Sequence, residues 1–399
     1  MPAPGESARW FREAAFGIFV HWGLYSIHGR DVWSMYLEQT PLEEYDRLAD
    51  RFAPRRYDAT EWAALAKDAG ARYTVMCTRQ HDGFSLFDTR VSDFSSVKRV
   101  AKRDLVAEYA EAVRKAGLGV GFYYSLLDWR WPAYFSGPDR DRQGWSAFVE
   151  YVHAQVRELC TQYGRVDVLW YDGGWPYGPH AWRAAELNAM VRSLQPHILI
   201  NNRSGPPEDF DTPEQRIEPS PPGRFWETCM TTNDHWGFVP ADTHWKSTTQ
   251  LIHSLVRCAS RAGNYLLNVG PDPDGLIPPE AVCRLREVGR WLRANGEAVY
   301  GTDDASALRR NGMVHAWPTL RGNVLYVHVQ KWPGTQLVLG NLASRVVAAR
   351  LVHNHAAIPF RQEGSRVFLT GLPQYAPDPH DTVVAVECED APRPVDRFA

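Results

Sequence analysis

The order of apolar and polar positions divides the chain in two. From residue 16 to about 300, short apolar, β-branched runs alternate with longer segments of helical periodicity. FGIFV (16–20), RYTVMCT (72–78), GLGVGFYYS (117–125), DVLWYDG (167–173), HILINNR (197–203), FWETCM (225–230) and NYLLNVG (264–270) read as buried strands. Helical stretches lie at 61–68, 104–115, 145–163, 181–194 and 247–261, and another at 279–294 follows the last strand. Strands apolar on both faces and separated by helices imply a parallel sheet. Six or seven such repeats over nearly 300 residues fit an α/β fold of the (β/α)8-like, TIM-type barrel class better than an open doubly wound sheet.

Beyond Tyr300 and Gly301 the texture changes. NVLYVHVQKW, QLVLGNL, VVAARLV, RVFLTGL and TVVAVEC are short, alternating and divided by Gly, Pro and Asn. This predicts a C-terminal all-β sandwich. The expected division is residues 1–300 for the barrel and 301–399 for the sandwich.

Composition narrows the function classes. Forty-four basic against 47 acidic residues leave a net charge of −3. No large electropositive field is available, so neither nucleic acid nor an anionic membrane surface is an expected partner. The opening segment MPAPGESARWFREAAFG carries no basic and apolar leader pattern, and no run approaches the roughly 18 apolar residues of a membrane span. Six cysteines without CxxC spacing argue against a zinc site and a disulfide framework alike. A cytoplasmic location is the expectation.

One feature departs from the ordinary: 16 Trp, 17 Tyr and 16 Phe. Indole faces suit core filling, or a ligand with flat apolar faces and polar edges. Catalytic residues of a parallel barrel gather at the carboxyl ends of its strands, and here those ends are polar and aromatic. They offer His21 and Trp22, then Arg79, Gln80, His81 and Asp82, then Tyr123, Tyr124, Asp128 and Trp129. Trp170, Tyr171 and Asp172 follow, then Asn201, Asn202 and Arg203, and lastly Trp226 and Glu227. Asp172 precedes Gly173 and Gly174, which let the backbone turn away and leave the carboxylate at the rim. The Pro-rich loop GPPEDFDTPEQ (205–215) can supply a second carboxylate. Two carboxyls facing a sugar are the equipment of a glycosidase. The nucleophile needs cations and donors, which His21, His81 and Arg203 provide, and the acid needs a raised pKa, which the surroundings of Pro213 and Glu214 can serve.

These residues resemble those of the retaining α-L-fucosidases of glycoside hydrolase family 29. The resemblance runs through FGIFVHWGLYS (16–26), HDGFSLFDT (81–89), KRDLVAEY (102–109), GFYYSLLDW (121–129), LWYDGGW (169–175), DFDTPEQ (209–215), WETC (226–229) and NYLLNVGPDPDG (264–275), in order and over essentially the whole chain. It implies a catalytic barrel followed by a β-sandwich, Asp172 as nucleophile, Glu214 as acid/base, a fucosylated oligosaccharide or glycoconjugate as substrate, and no cofactor. For fucose it implies contacts from His21, Trp22, His81, Tyr124 or its neighbour, Trp170 and Arg203, with the His and Arg side chains as donors to ring hydroxyls. Trp33, Gln80 and Trp226 join the set by position.

The chain departs from the family pattern twice. Gln80 stands where a first histidine is common before His81-Asp82-Gly83, and Val32-Trp33-Ser34 replaces Glu-Trp-Tyr. Glu38 is a candidate for the acidic contact so lost. Glu208, Glu218 and above all Glu227 compete with Glu214. Two other classes remain: a non-catalytic lectin-like barrel, and a metal-dependent barrel hydrolase with His21, His81 and Asp172 as ligands, against which the absence of HxH on the first strand weighs.

Overall fold

The computed structural model describes residues 6–309 and 316–395; the first five residues of the opening segment lie outside them. Eight parallel strands form the barrel: β1 (Phe16–Val20), β2 (Tyr73–Arg79), β3 (Gly119–Ser125), β4 (Val168–Asp172), β5 (Leu199–Ile200), β6 (Phe210–Asp211), β7 (Phe225–Thr231) and β8 (Asn264–Val269). Their order is β5-β4-β3-β2-β1-β8-β7-β6, and a parallel bridge from Asn201 to Phe210 brings the edge strands together, so the barrel is nearly closed.

The intervening helices start where the sequence supplies caps. Asp58, Asp104 and Asp141 each accept a backbone N–H from the first turn of the helix they precede. Ser247 and Gln250 form a reciprocal capping box at Thr248–Ala259. Among the described residues, no helix is long and apolar enough to cross a membrane.

β6 was not expected from the sequence. Only two residues long, it lies inside the segment that reads as a Pro-rich loop, and too few residues are extended to show a period. β7 also differs: it runs to Thr231, so Trp226 and Glu227 stand at its beginning and not at its carboxyl end.

Two antiparallel sheets of four and three strands follow, within residues 316–388. Leu325, Val327, Val367, Leu369, Val384 and Val386 pack between them in a core of their own. This sandwich is tied to the barrel by Trp291 on the last barrel helix, whose indole donates to Asp381 O at 2.8 Å.

Candidate active site

Strand parity decides which side chains enter the barrel and which face the helices. On β4, Trp170 and Asp172 point inward while Tyr171 joins the outer core. On β3, Tyr123 points inward and Tyr124 outward. The inward set meets at the carboxyl end in a cavity of about 120 Å³, lined by Phe19, His21, Val32, Trp33, Gln80, His81, Tyr123, Trp170, Asp172, Trp175, Arg203, Glu214, Cys229 and Trp236. A larger cavity of about 760 Å³ lies between the loop after β7 and the last barrel helix. It holds none of these convergent groups, so the smaller one is the site.

Three sequence-based expectations fail by strand parity, and Trp226 also by its place at the start of β7. Trp22, adjacent to inward His21, turns outward, packs against Phe52, Tyr57 and Trp62, and donates to Asp272 O at 2.8 Å. Tyr124 donates to Gln155 Oε1 and lies under the Arg79 guanidinium, so its inward neighbour Tyr123 is the pocket tyrosine. Trp226 is buried against Gly263 in the outer core. The other expected residues, His21, Trp33, Gln80, His81, Trp170, Asp172, Arg203 and Glu214, all line the pocket. Tyr123 is the neighbour that the sequence left open beside Tyr124, whereas Phe19 and Cys229 were missed although strand alternation carries them inward. Trp236 sits on a long loop with no periodic signal.

Arg203 organises the charges. A 3-10 turn, Asn202–Ser204, follows the two-residue β5 and carries it. Its Nη1 donates to Asp172 Oδ1 and its Nη2 to Glu214 Oε2, both at 2.9 Å, while Nε donates to Thr212 Oγ1 and the guanidinium lies 4.6 Å from the centre of the Trp170 ring. Asp172 Oδ2 accepts from Tyr123 Oη at 2.9 Å. Burial pushes the Asp172 carboxyl up, but Arg203, His81 and Tyr123 together outweigh it and hold the group below its ordinary value. Asp172 is therefore ionised at neutral pH. Glu214 sits at the mouth, its side chain 41% exposed.

The Asp172-Gly173-Gly174 turn is shaped for this contact. Gly173 has φ +68°, where a side chain is strained. A Cβ on Gly174 would lie 2.7 Å from the Arg203 carbonyl oxygen.

The histidines are locked in one tautomer. Asn268 donates its amide to Trp236 O at 2.7 Å, so its oxygen faces His21, whose Nδ1 lies 2.7 Å away and must carry the proton. The Ser125 hydroxyl donates to Leu127 O at 2.6 Å, so it accepts from His81 Nδ1–H at 2.7 Å. Burial lowers both pKa values to about 4, so each ring is neutral at physiological pH. Each histidine therefore presents Nε2 as an acceptor, where donors had been expected. Gln80 Oε1 receives His81 N–H and lies 2.6 Å from Tyr123 Oη, whose single proton it shares with Asp172 Oδ2, leaving the amide nitrogen of Gln80 as the donor.

The rival carboxylates are committed elsewhere. Glu208 pairs with Arg192 and Glu218 with Arg216. Glu227 is sealed beneath the pocket floor, accepting from Trp170 Nε1 at 2.9 Å and from Tyr73 Oη. Glu38 pairs with Arg30 outside the pocket and does not replace the missing acidic contact. A metal bound by His21, His81 and Asp172 would answer a negative charge that Arg203 already meets.

A family model described as Alpha-L-fucosidase matches residues 4–297. The tissue alpha-L-fucosidase of Bos taurus is 32% identical over 359 residues, 81% of this chain and 75% of that protein. Among solved structures, alpha-L-fucosidase isoenzyme 1 from Paenibacillus thiaminolyticus superposes with a TM-score of 0.89 at 37% identity, covering 96% of this chain and 99% of that one. A Bacteroides thetaiotaomicron alpha-L-fucosidase, trapped as a covalent intermediate in complex with 2-fluoro-fucosyl fluoride, matches with a TM-score of 0.88 at 26% identity over 96% of this chain and 97% of that one.

Proposed function

The chain belongs to the α-L-fucosidase family, and from that premise we propose that it removes terminal α-linked L-fucose from glycans by double displacement, with Asp172 as nucleophile and Glu214 as acid/base. The observation that carries this reading is the single Arg203 guanidinium bonded to both carboxylates. Two nitrogens of one planar group bring both carboxylates to one cation at the pocket, and a retaining mechanism calls for two such groups roughly 5–5.5 Å apart.

In the first step an Asp172 oxygen attacks the anomeric carbon as the bond to the aglycone oxygen breaks, and protonated Glu214 gives that oxygen its proton. In the second, Glu214 takes a proton from water, the water oxygen attacks the same carbon, and Asp172 leaves. Two inversions return the starting configuration. Pocket depth separates the roles: Asp172 is buried and held ionised, whereas Glu214 meets solvent and can exchange its proton there. Sugar hydroxyls would donate to the Nε2 atoms of His21 and His81, and Gln80 would donate to a hydroxyl oxygen. A pocket built on such polar contacts rejects a sugar lacking one of them far more strongly than an apolar wall rejects a missing methyl.

Asp172→Gly tests the assignment. It should abolish turnover of an aryl α-L-fucoside, and azide should restore it by attacking from the vacated face to give the inverted glycosyl azide. An azide product of retained configuration would place the nucleophile elsewhere.

A further inference from the structure

Exposed aromatic side chains are rare in this chain and are concentrated at one place. Of the four strongly exposed ones among the described residues, Tyr36, Phe135 and Trp175 stand beside the pocket mouth, at 49%, 55% and 43% exposure. Single exposed apolar residues are ordinary, but a contiguous group at a site marks a binding surface.

Ring contacts connect the three to the pocket. Trp175 and Trp33 line it, and both pack on His81, with centroids 6.0 and 5.3 Å away. Trp33 packs on Trp129 at 5.4 Å, Trp129 stacks with Tyr36 at 5.5 Å and 20°, and Tyr36 continues to Phe135 at 6.4 Å and 5°. Near-parallel rings at such separations are offset like tiles, so each leaves part of its face uncovered. The wall closes on itself, because Tyr134, beside Phe135, donates to Trp175 O at 2.9 Å. Two short helices hold it, Ser34–Leu37 and Pro132–Ser136. Neither Tyr36 nor Phe135 lines the fucose pocket.

Resting on the fucosidase reading, we propose that Tyr36 and Phe135 form an aglycone subsite that stacks the sugar residue to which fucose is attached. The leaving oxygen must meet Glu214, which stands at the mouth with exposed Trp175, so the aglycone emerges there and meets the tiled wall. A hexose has an apolar C–H face for the rings. Its hydroxyl edge faces water and the Arg30–Glu38 ion pair, which follows directly on Leu37.

The test compares kcat/KM of wild type, Tyr36→Ala, Phe135→Ala and Tyr36→Phe on fucosyl-galactose and fucosyl-N-acetylglucosamine disaccharides and on α-L-fucosyl fluoride, whose leaving group is one atom and cannot stack. Each alanine variant should lose about two- to tenfold more on a disaccharide than on the fluoride, and Tyr36→Phe should restore the disaccharide rate. Equal changes on all substrates, or none, would overturn the subsite while leaving the fucosidase reading intact. Failure of the wild-type protein to turn over either substrate type would sink both. If Tyr36→Ala does not fold, Phe135→Ala, at a more exposed position, and Tyr36→Phe carry the same comparison.

Discussion

Glu227 offers a stability prediction with a definite sign. Its carboxyl is buried between Trp170 and Tyr73, and burial pushes its pKa up to about 7 despite both hydrogen bonds. In the unfolded chain it titrates near 4.3. Below pH about 4 the group is protonated in both states and costs nothing. Between the two pKa values the unfolded chain releases its proton while the native protein keeps it, so stability falls as pH rises. Above about pH 7 the loss levels off between roughly 3 and 4 kcal/mol, from about 2.7 pH units at 1.36 kcal/mol each. Glu227→Gln removes this dependence. Like the protonated carboxyl, the amide accepts from Trp170 and reverses the second bond, its N–H donating to Tyr73 Oη, which donates to the ionised carboxylate. For 399 residues the unfolding entropy is about 0.8 kcal/mol per kelvin, so the loss corresponds to about 4 °C. Melting both proteins from pH 4 to 8 should show Tm values that nearly coincide at the acid end and separate, with Glu227→Gln higher, by neutral pH. A Tm difference that does not vary with pH would refute the buried-carboxyl argument.

Other outcomes follow from the site. Glu214→Ala should slow substrates with poor leaving groups far more than activated aryl fucosides, because only the former need protonation; equal losses would sink the acid/base role. Asn268→Asp puts a negative charge beside His21 and should raise its pKa from about 4. The imidazolium cannot accept at Nε2, so the acid limb of kcat/KM should move to higher pH, and superimposable acid limbs would contradict the tautomer argument. Trp22→Phe loses the indole bond to Asp272 O, worth about 0.5–1.5 kcal/mol, and should lower Tm while leaving KM for an aryl fucoside within about twofold. A tenfold rise in KM would mean the ring touches substrate after all.

Much of this architecture is legible in the sequence because buried parallel strands are short apolar runs that polar strand ends punctuate. Seven of the eight barrel strands read that way, and Asp172 could be nominated from its place between an apolar run and two glycines. Strand parity misplaced three aromatic residues, and Trp226 also stands at the start of β7 instead of its carboxyl end. Trp22 beside His21, Tyr124 beside Tyr123 and Trp226 beside Glu227 each lie one position from an inward-facing side chain, and a one-residue step in a strand reverses the face. Aromatic type alone gives no parity, since the outer core between strands and helices welcomes Trp and Tyr as readily as a sugar pocket does. Trp236 and the two-residue β6 carry no period at all. Their places are set by tertiary contacts such as Asn268 with Trp236 O and Asn201 with Phe210.

The glycine pair shows how closely sequence and chemistry are joined where the sequence was legible. Gly173 permits the turn that ends β4 with Asp172 at the pocket floor, and Gly174 lets that turn lie against the Arg203 backbone. The approach matters because β4 and β5 share only two register pairs, Val168 with Leu199 and Leu169 with Ile200, before β5 leaves the sheet. Beyond Leu169 the ladder no longer fixes Arg203 relative to Asp172. The glycine contact and the Thr212 bonds to the guanidinium take over that task. Because Thr212 is two residues from Glu214, the bonds that seat Arg203 also place the second carboxylate. Asp172, Arg203 and Glu214 thus form one mechanical unit built across a sparsely paired part of the barrel.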